Sequence, residues 1–139
     1  MDAPLIKDFV YDVPVAKVWR ALTDADQMRR WYFPQLQKFE AVAGRRFEFE
    51  DTDSEFQKEW IVTEVETGKL LAHSWAYKGY PGQSEVKFEL SALDQKTKLR
   101  VTQTGLESFP KDAHFKRERF EWGWENLLGK NLKTLLEKN

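Results

Sequence analysis

The chain has no cysteine among its 139 residues, and this absence excludes several kinds of chemistry. Without a thiol there is no disulfide framework, thiolate nucleophile, iron–sulfur cluster or cysteine-ligated zinc, and such usage fits a reducing cytoplasm. Long apolar runs are also absent, since none approaches the roughly 20 residues that span a bilayer, and the start MDAPLIKDF has no signal-peptide core. We therefore expect a cytoplasmic protein without membrane insertion.

An excess of charge of either sign is missing too. The 22 Lys and Arg residues almost balance the 23 Asp and Glu residues, so the net charge is -1. This balance provides no basic field for phosphate backbones, and we expect no nucleic-acid partner. The two histidines lie far apart, and DTDSEF at residues 51–56 begins like a calcium loop but lacks its sixth-position glycine. No metal or other cofactor is expected.

Aromatic side chains are abundant instead. Ten Phe, six Trp and four Tyr make up 14% of the chain. Large flat side chains of this kind either fill a core or line a pocket that stacks on an apolar ligand. The order of the secondary-structure elements must indicate which of the two applies.

The first third of the chain has a recognisable order of elements. Alternating polarity over residues 6–13 predicts a strand, which Pro14 ends. Helical spacing in VPVAKVWRALT predicts a short helix, and Asp24 is the expected N-cap of a second one, DADQMRRWY, that stops before Pro34. The sequence therefore predicts one strand followed by two short helices.

The rest of the chain switches to a period of two and then to a helical period. Alternation over residues 36–104 predicts a meander of antiparallel strands with one apolar and one charged face. Residues 115–138 read as one long helix with an apolar stripe, and that stripe needs the concave face of the sheet as its partner. No linker or repeat divides residues 1–139, so we expect a single domain.

Particular motifs resemble a known family. PVAKVWRALTDADQMRRWYFP is similar to the opening of START-like (SRPBCC) domains, most closely the bacterial branch similar to the activator of heat-shock protein 90 ATPase homologue (AHSA1-like). Four further segments resemble that branch in the right order: WIVTEVETGKLLAHSW, EVKFEL, TKLRVTQTGLESFP and FEWGWENLLGKNLKTLLE. The resemblance therefore covers nearly the whole chain.

The resemblance implies an α+β helix-grip fold. In that fold an antiparallel sheet of about seven strands wraps around a long C-terminal helix, and two short helices follow the first strand. A deep, largely apolar cavity between sheet and helix is the superfamily's usual site. Relatives bind lipids, sterols, hormones or polyketide intermediates there, and a minority are cyclases or other enzymes.

This chain departs from the family pattern in one strand. Many relatives have a histidine in a Leu-x-Leu-x-His pattern, where this chain has Gln103. A glutamine donates and accepts hydrogen bonds without titrating near pH 7, which favours recognition over acid–base chemistry. Eukaryotic activators also carry a separate amino-terminal chaperone-binding domain, for which we expect no room here, so a chaperone partner is the less favoured alternative.

The function that we predict is non-catalytic binding of a small hydrophobic or aromatic ligand between the sheet and the C-terminal helix. Burial of a flat ligand would supply most of the affinity, and one or two polar groups would orient it. A fully packed aromatic core is the competing interpretation. The predicted ligand-binding residues are Phe9, Tyr11, Trp31, Phe47, Phe49, His73, Trp75, Tyr77, Phe88, Gln103, Phe120, Trp124, Leu127 and Leu128.

An enzyme of the cyclase or hydrolase kind is the second hypothesis. It needs an acid or base inside the cavity, and the candidates are His73 and Glu64. His73 is either a pH-sensitive donor in the pocket or a satisfied core imidazole, and the direction of Glu64 stays open because WIVTEV is apolar at both parities. Glu48 and Glu50 alternate with phenylalanines and are expected at the surface.

Three other features have modest interpretations. His114 is expected in a solvated loop, and the basic segment FKRERF is expected to be a solvated helix start. Tyr80 and Pro81 occupy a loop tip that would serve as a lid or a dimer contact, so a homodimer stays open.

Overall fold

A computed structural model of the chain describes residues 3–50, 58–111 and 115–137. These residues form an α+β fold, as the sequence predicts. The helical elements are α1 (Val15–Thr23), α2 (Ala25–Trp31), a 3₁₀ turn (Leu106–Ser108), α3 (Arg117–Asn126), a π-helical segment (Leu127–Leu132) and α4 (Lys133–Glu137). The strands are β1 (Leu5–Tyr11), β2 (Leu36–Lys38), β3 (Glu48–Phe49), β4 (Val62–Glu66), β5 (Leu70–Trp75), β6 (Ser84–Leu93) and β7 (Lys96–Thr104).

The strands of the described chain are arranged in two antiparallel sheets. The larger sheet has the order β1-β7-β6-β5-β4, and β2 pairs with β3 in a smaller one. The expected seven strands are therefore present, but the sheet is divided. Among the described residues, backbone contacts join the two parts, including a bond of 2.9 Å from the Phe47 amide to the Trp60 carbonyl and an isolated bridge between Arg46 and Ile61. The ring of Phe47 also contacts that of His73 in β5, with a centroid distance of 4.9 Å.

The two short helices form where the sequence predicts them. The Asp24 carboxylate accepts a hydrogen bond of 3.1 Å from the Gln27 amide, so Asp24 is the predicted N-cap of α2. The Trp31 indole donates to the Ala21 carbonyl at 2.7 Å and ties the end of α2 to α1. This bond fixes the angle between the helices and turns the buried faces of both toward the sheet.

The C-terminal helix is longer than the two short ones but less regular than the apolar stripe predicts. It begins at Arg117 and not at Phe115, because Lys116 has extended backbone angles (φ -67°, ψ 141°). Its middle, Leu127–Leu132, is π-helical. The Tyr11 hydroxyl donates at 2.8 Å to the carbonyl of Leu128 in this segment. A partner from β1 thus occupies a backbone acceptor where the helix is locally wider.

Side chains of the C-terminal helix cover the outer edge of β1. The Arg117 guanidinium donates to the Ala3 carbonyl at 2.6 Å, and the Lys133 ammonium donates to the Val10 carbonyl at 3.3 Å. An open strand edge invites pairing with other chains, so these contacts protect it as well as hold the helix. Within the described ranges, no helix has the length and apolar character needed to cross a membrane.

Candidate functional site

A cavity of about 350 Å³ lies beside the C-terminal end of β5, and it is partly open to solvent. One side is formed by β5 and the residues that follow it, and the other by helix α3. The loop after α2 and the segment before β4 close the remaining sides. The lining residues are Phe33, Lys58, Trp75, Tyr77, Arg119, Phe120, Trp122, Gly123, Trp124, Asn126 and Leu127.

The apolar walls are rings held in edge-to-face contact. The Trp75 ring centroid lies 5.8 Å from that of Phe120 and 5.7 Å from that of Trp124, at interplanar angles of 74° and 71°. Phe33 contacts Trp75 in the same manner at 6.2 Å. Edge-to-face pairs add to the energy of burial and restrict ring orientation. The walls are therefore apolar, and the orientation of their rings is restricted.

Hydrogen bonding fixes the polar atoms of two wall residues. The Trp75 indole donates to the Tyr77 hydroxyl at 2.8 Å. Burial raises the pKa of Tyr77, while this hydrogen bond and the positive charge of Arg119 oppose the increase. Tyr77 is therefore a neutral phenol near pH 7, and its oxygen is held beside a cationic side chain.

Two cationic side chains line the cavity. The Lys58 ammonium lies 4.6 Å from the Phe33 ring centroid and 5.6 Å from that of Phe49. Burial lowers the pKa of Lys58, because a desolvated ammonium is penalised. Arg119 stands on helix α3 on the opposite side.

Gly123 forms part of the cavity surface from the interior of helix α3. A Cβ atom built at this position would meet nothing within 4 Å. A glycine inside a helix costs about 1 kcal/mol relative to alanine, and here no close packing requires it. The glycine has the effect of leaving the cavity open at its helical wall.

His73 lies in the core and does not line the cavity. The carbonyl of Ser74 can only accept, so Nδ1 of His73 donates to it at 2.8 Å, and Nε2 accepts from the Tyr32 hydroxyl at 3.0 Å. Burial lowers the pKa of His73 to about 4. The ring also stacks on Trp60 with a centroid distance of 4.8 Å. Of the two alternatives for His73, a pH-sensitive donor in the pocket or a satisfied core imidazole, this arrangement matches the second.

Gln103 is buried on the inner face of β7. Its Oε1 accepts a 3.0 Å hydrogen bond from the indole of Trp124, which is itself a wall residue. Its Nε2 has no hydrogen-bond partner among the residues that the structure describes. Gln103 therefore positions a wall of the cavity from behind and does not line it.

The hypothesis that Glu64 acts as an acid or base in the cavity must be corrected. Its side chain is 53% exposed and points to the outer face, where it lies 3.9 Å from the Lys87 ammonium. The register of β4 shifts between Val62 and Glu64, so the alternation that a regular strand would show is interrupted there. The same register shift explains why apolar residues occur at both odd and even positions of WIVTEV. Glu48 and Glu50 are exposed, as predicted.

The structure brings five of the predicted residues to the cavity: Trp75, Tyr77, Phe120, Trp124 and Leu127. The others belong to the core or its margin. Those buried are Tyr11, Trp31, Phe47, His73, Phe88, Gln103 and Leu128, and Phe9 and Phe49 are half-buried.

Sequence reasoning missed several residues of the cavity. The sequence around Lys58 and around Arg119 has the composition of an ordinary protein surface, and the spacing of these residues does not indicate a pocket. Phe33 precedes Pro34 in what reads as a helix end. The segment WGW did contain a signal, because Gly123 interrupts a helical pattern and Trp122 lies off its apolar stripe, 69% exposed.

The remaining sequence features have mixed outcomes. Tyr80 is not an exposed loop tip: its ring is half-buried and lies 5.7 Å from the ring of Phe115. Within FKRERF, Arg117 binds backbone carbonyls near the amino terminus instead of only facing solvent. His114 and the segment 51–56 lie outside the described residues. In the part of the chain that the structure describes, no group of His, Asp and Glu side chains is suited to hold a metal ion.

The fold and the position of the cavity define a START-like domain of the helix-grip type. The chain belongs to the family described as Activator of Hsp90 ATPase homolog 1-like protein, whose family model matches residues 12–137. No curated protein matches the chain significantly in sequence.

Solved structures with the same fold support this assignment. Protein CV1439 from Chromobacterium violaceum is 22% identical with a TM-score of 0.79, and the alignment covers 100% of both chains. CalU16 from Micromonospora echinospora is 26% identical with a TM-score of 0.73, over 96% of this chain and 74% of that one. The Aha1 dimer from Colwellia psychrerythraea is 19% identical with a TM-score of 0.72, over 99% and 98% of the two chains.

Proposed function

We propose that the protein binds a small, mostly apolar or aromatic molecule in the cavity between β5 and α3, without catalysing its conversion. The observation that carries the proposal is Gly123. A helix-interior glycine lowers helix stability, a Cβ at this position would meet no atom within 4 Å, and the open space beside it is lined by Trp75 and Trp124. A protein that needed only a packed core would gain from a larger side chain there.

The size and lining of the cavity suit such a ligand. Its volume of about 350 Å³ lies within the range of small-molecule sites, and most of its lining is aromatic. Stacking on preorganised rings limits the entropy lost on binding. Among the described residues, the cavity wall contains no carboxylate and no histidine, so neither of the candidate acid–base residues, His73 and Glu64, supports a cyclase or hydrolase there.

The experiment is a thermal-shift and calorimetric screen with apolar and aromatic compounds, preceded by native mass spectrometry of protein purified from its own cells. We expect a stoichiometric small molecule or a clear rise in melting temperature with some compounds, because ligands that bind only the native state stabilise it. Gly123→Phe is expected to weaken binding at least tenfold by filling the cavity.

Gly123→Ala is the matched control. Its single methyl group enters open space, so it should keep binding and stabilise the protein by about 1 kcal/mol through helix propensity. If no molecule is released and no compound changes the melting temperature, the proposal is wrong. It is equally contradicted if Gly123→Phe, folded and stable, binds as well as the unchanged protein.

A further inference from the structure

The charged residues that the structure describes around the cavity are of one sign. Among these described lining residues, Lys58 and Arg119 are cationic and none is acidic. This contrasts with a chain whose total charge is nearly balanced. Within the described residues, neither cation has a carboxylate within ion-pair distance, although ion pairs such as Asp8 with Arg100 occur elsewhere on the surface.

The Lys58 ammonium is held at the apolar wall and not in free solvent. It lies over the ring of Phe33, and the backbone of Lys58 bridges to that of Tyr77 on the neighbouring strand end. Its charge is therefore partly desolvated, with no compensating anion in the part of the chain that the structure describes, and this desolvation lowers its pKa. A bound anion would restore that compensation.

Arg119 faces the same space from the opposite side. It is one helical turn before Gly123, so the two positions share a face of α3. Two other polar side chains of the lining already take part in hydrogen bonds: Asn126 donates to the Trp122 carbonyl at 2.8 Å, and the Tyr77 hydroxyl accepts from the Trp75 indole at 2.8 Å. The cationic groups are thus the charged groups of the lining that can attract an anionic ligand.

We propose that the ligand is an aromatic carboxylate whose ring lies against Trp75 and Trp124. Its carboxylate is held by Lys58 and Arg119 at the mouth of the cavity. This inference rests on the proposed function, and it adds the chemical class of the ligand: an apolar ring joined to a single anionic group. Among the described residues, a neutral ring would leave both cations without an anionic partner.

The test compares each acid with its neutral amide of nearly equal shape. The probes are 2-naphthoate with 2-naphthamide and indole-3-acetate with indole-3-acetamide, measured by calorimetry at pH 7 and constant ionic strength. We expect the carboxylates to bind roughly tenfold tighter than the amides, as a charge-assisted hydrogen bond in a partly desolvated site provides. Added salt should reduce this preference.

Variants assign the preference to the two cations. Lys58→Met keeps an apolar stem over Phe33 and should bring the acid-to-amide ratio close to one. Arg119→Gln should reduce the ratio as well, and Lys58→Arg should retain it. Lys69→Met is the control, because Lys69 is an exposed residue at the other end of β5 from Trp75.

The outcomes separate this inference from the proposed function. If the amides bind and the acids bind no better, the ligand is not an anion, and the binding function stands. If the acids are preferred but Lys58→Met and Arg119→Gln leave the ratio unchanged, the assignment to these cations is wrong. If neither member of either pair binds, this inference is wrong. If, in addition, no molecule is released from the purified protein and no compound of the screen changes the melting temperature, both proposals fail.

Discussion

His73 shows how the surroundings of one residue decide its chemistry. From the sequence, an imidazole on the inner face of a strand is a candidate pocket donor. In the structure it is 0% exposed, and its two ring nitrogens bond to Ser74 and Tyr32. Since protonation would require Nε2 to give up its acceptor role without gaining water, burial lowers the pKa to about 4. The residue therefore stabilises the protein in its neutral form.

The lowered pKa of His73 predicts a pH-dependent stability. The pKa of a histidine in the unfolded chain is about 6.5, so below that pH the unfolded state binds a proton that the folded state does not bind. The stabilisation is complete above about pH 6.5 and is lost as the pH falls toward about 4. We expect the free energy of unfolding to fall by about 2 kcal/mol more between pH 7 and pH 5 than in His73→Gln.

Urea unfolding of both proteins across this pH range measures the difference. Other acidic groups titrate in both proteins and cancel in the comparison. Equal pH slopes for the two proteins would show that His73 is not held neutral in the fold.

At the scale of elements, the loop between β5 and β6 is docked on the 3₁₀ turn. The Gln83 amide donates to the Ser108 hydroxyl at 2.9 Å, and Gly82 lies directly against the backbone of Ser108 and Phe109. Gly82 has a φ of 99°, a left-handed conformation that favours glycine. Both the conformation and the close approach therefore require the absence of a side chain.

Gly82→Ala and Gly79→Ala separate these two requirements. Gly79 also has positive φ (81°), but a Cβ there meets nothing within 4 Å. We expect Gly79→Ala to lower the free energy of unfolding by about 1 kcal/mol, the cost of the left-handed conformation. Gly82→Ala should cost about 2–4 kcal/mol, because its Cβ overlaps the Ser108 carbonyl and lies 2.9 Å from the Phe109 Cα. Equal losses in chemical denaturation would contradict the docking contact.

The whole molecule is closed by contacts between its first strand and its last helix. Tyr11 and Leu128 are 117 positions apart in the chain, yet the hydroxyl of one bonds to the carbonyl of the other. Burial raises the pKa of Tyr11 far above its ordinary value, so the hydroxyl stays protonated and remains a donor at all physiological pH values. This bond joins the sheet to the π-helical segment, directly beyond the cavity wall residue Leu127.

Tyr11→Phe should therefore weaken the contact between the C-terminal helix and the sheet. Loss of one buried hydrogen bond with no loss of ring packing is expected to cost about 1–2 kcal/mol. Amide hydrogen exchange should accelerate in residues 127–132 more than in α1, since the effect is local to the segment that loses its partner. Uniform acceleration across the molecule, or none, would show that the hydroxyl does not hold this segment.

The sequence by itself determined the order and type of the elements. Alternation and helical spacing are local patterns, and capping by Asp24 depends on a residue only three positions away, so these features were predicted and confirmed. The family resemblance and the helix-grip fold followed from motifs spread over the chain, and both were confirmed by the family model and the solved structures. The single domain, the ligand and the cytoplasmic location stay predictions.

Only the tertiary structure decided which aromatic side chains fill the interior and which surround a hollow. Trp31 and Trp124 have similar helical patterns around them, yet only Trp124 lines the cavity. Burial alone does not distinguish them, because the hollow arises where β5, α3 and the loop of Phe33 meet at long sequence separation. That Lys58 and Arg119 line the same cavity, and that Glu64 points outward, depends on register and packing, and neither is encoded in a local pattern.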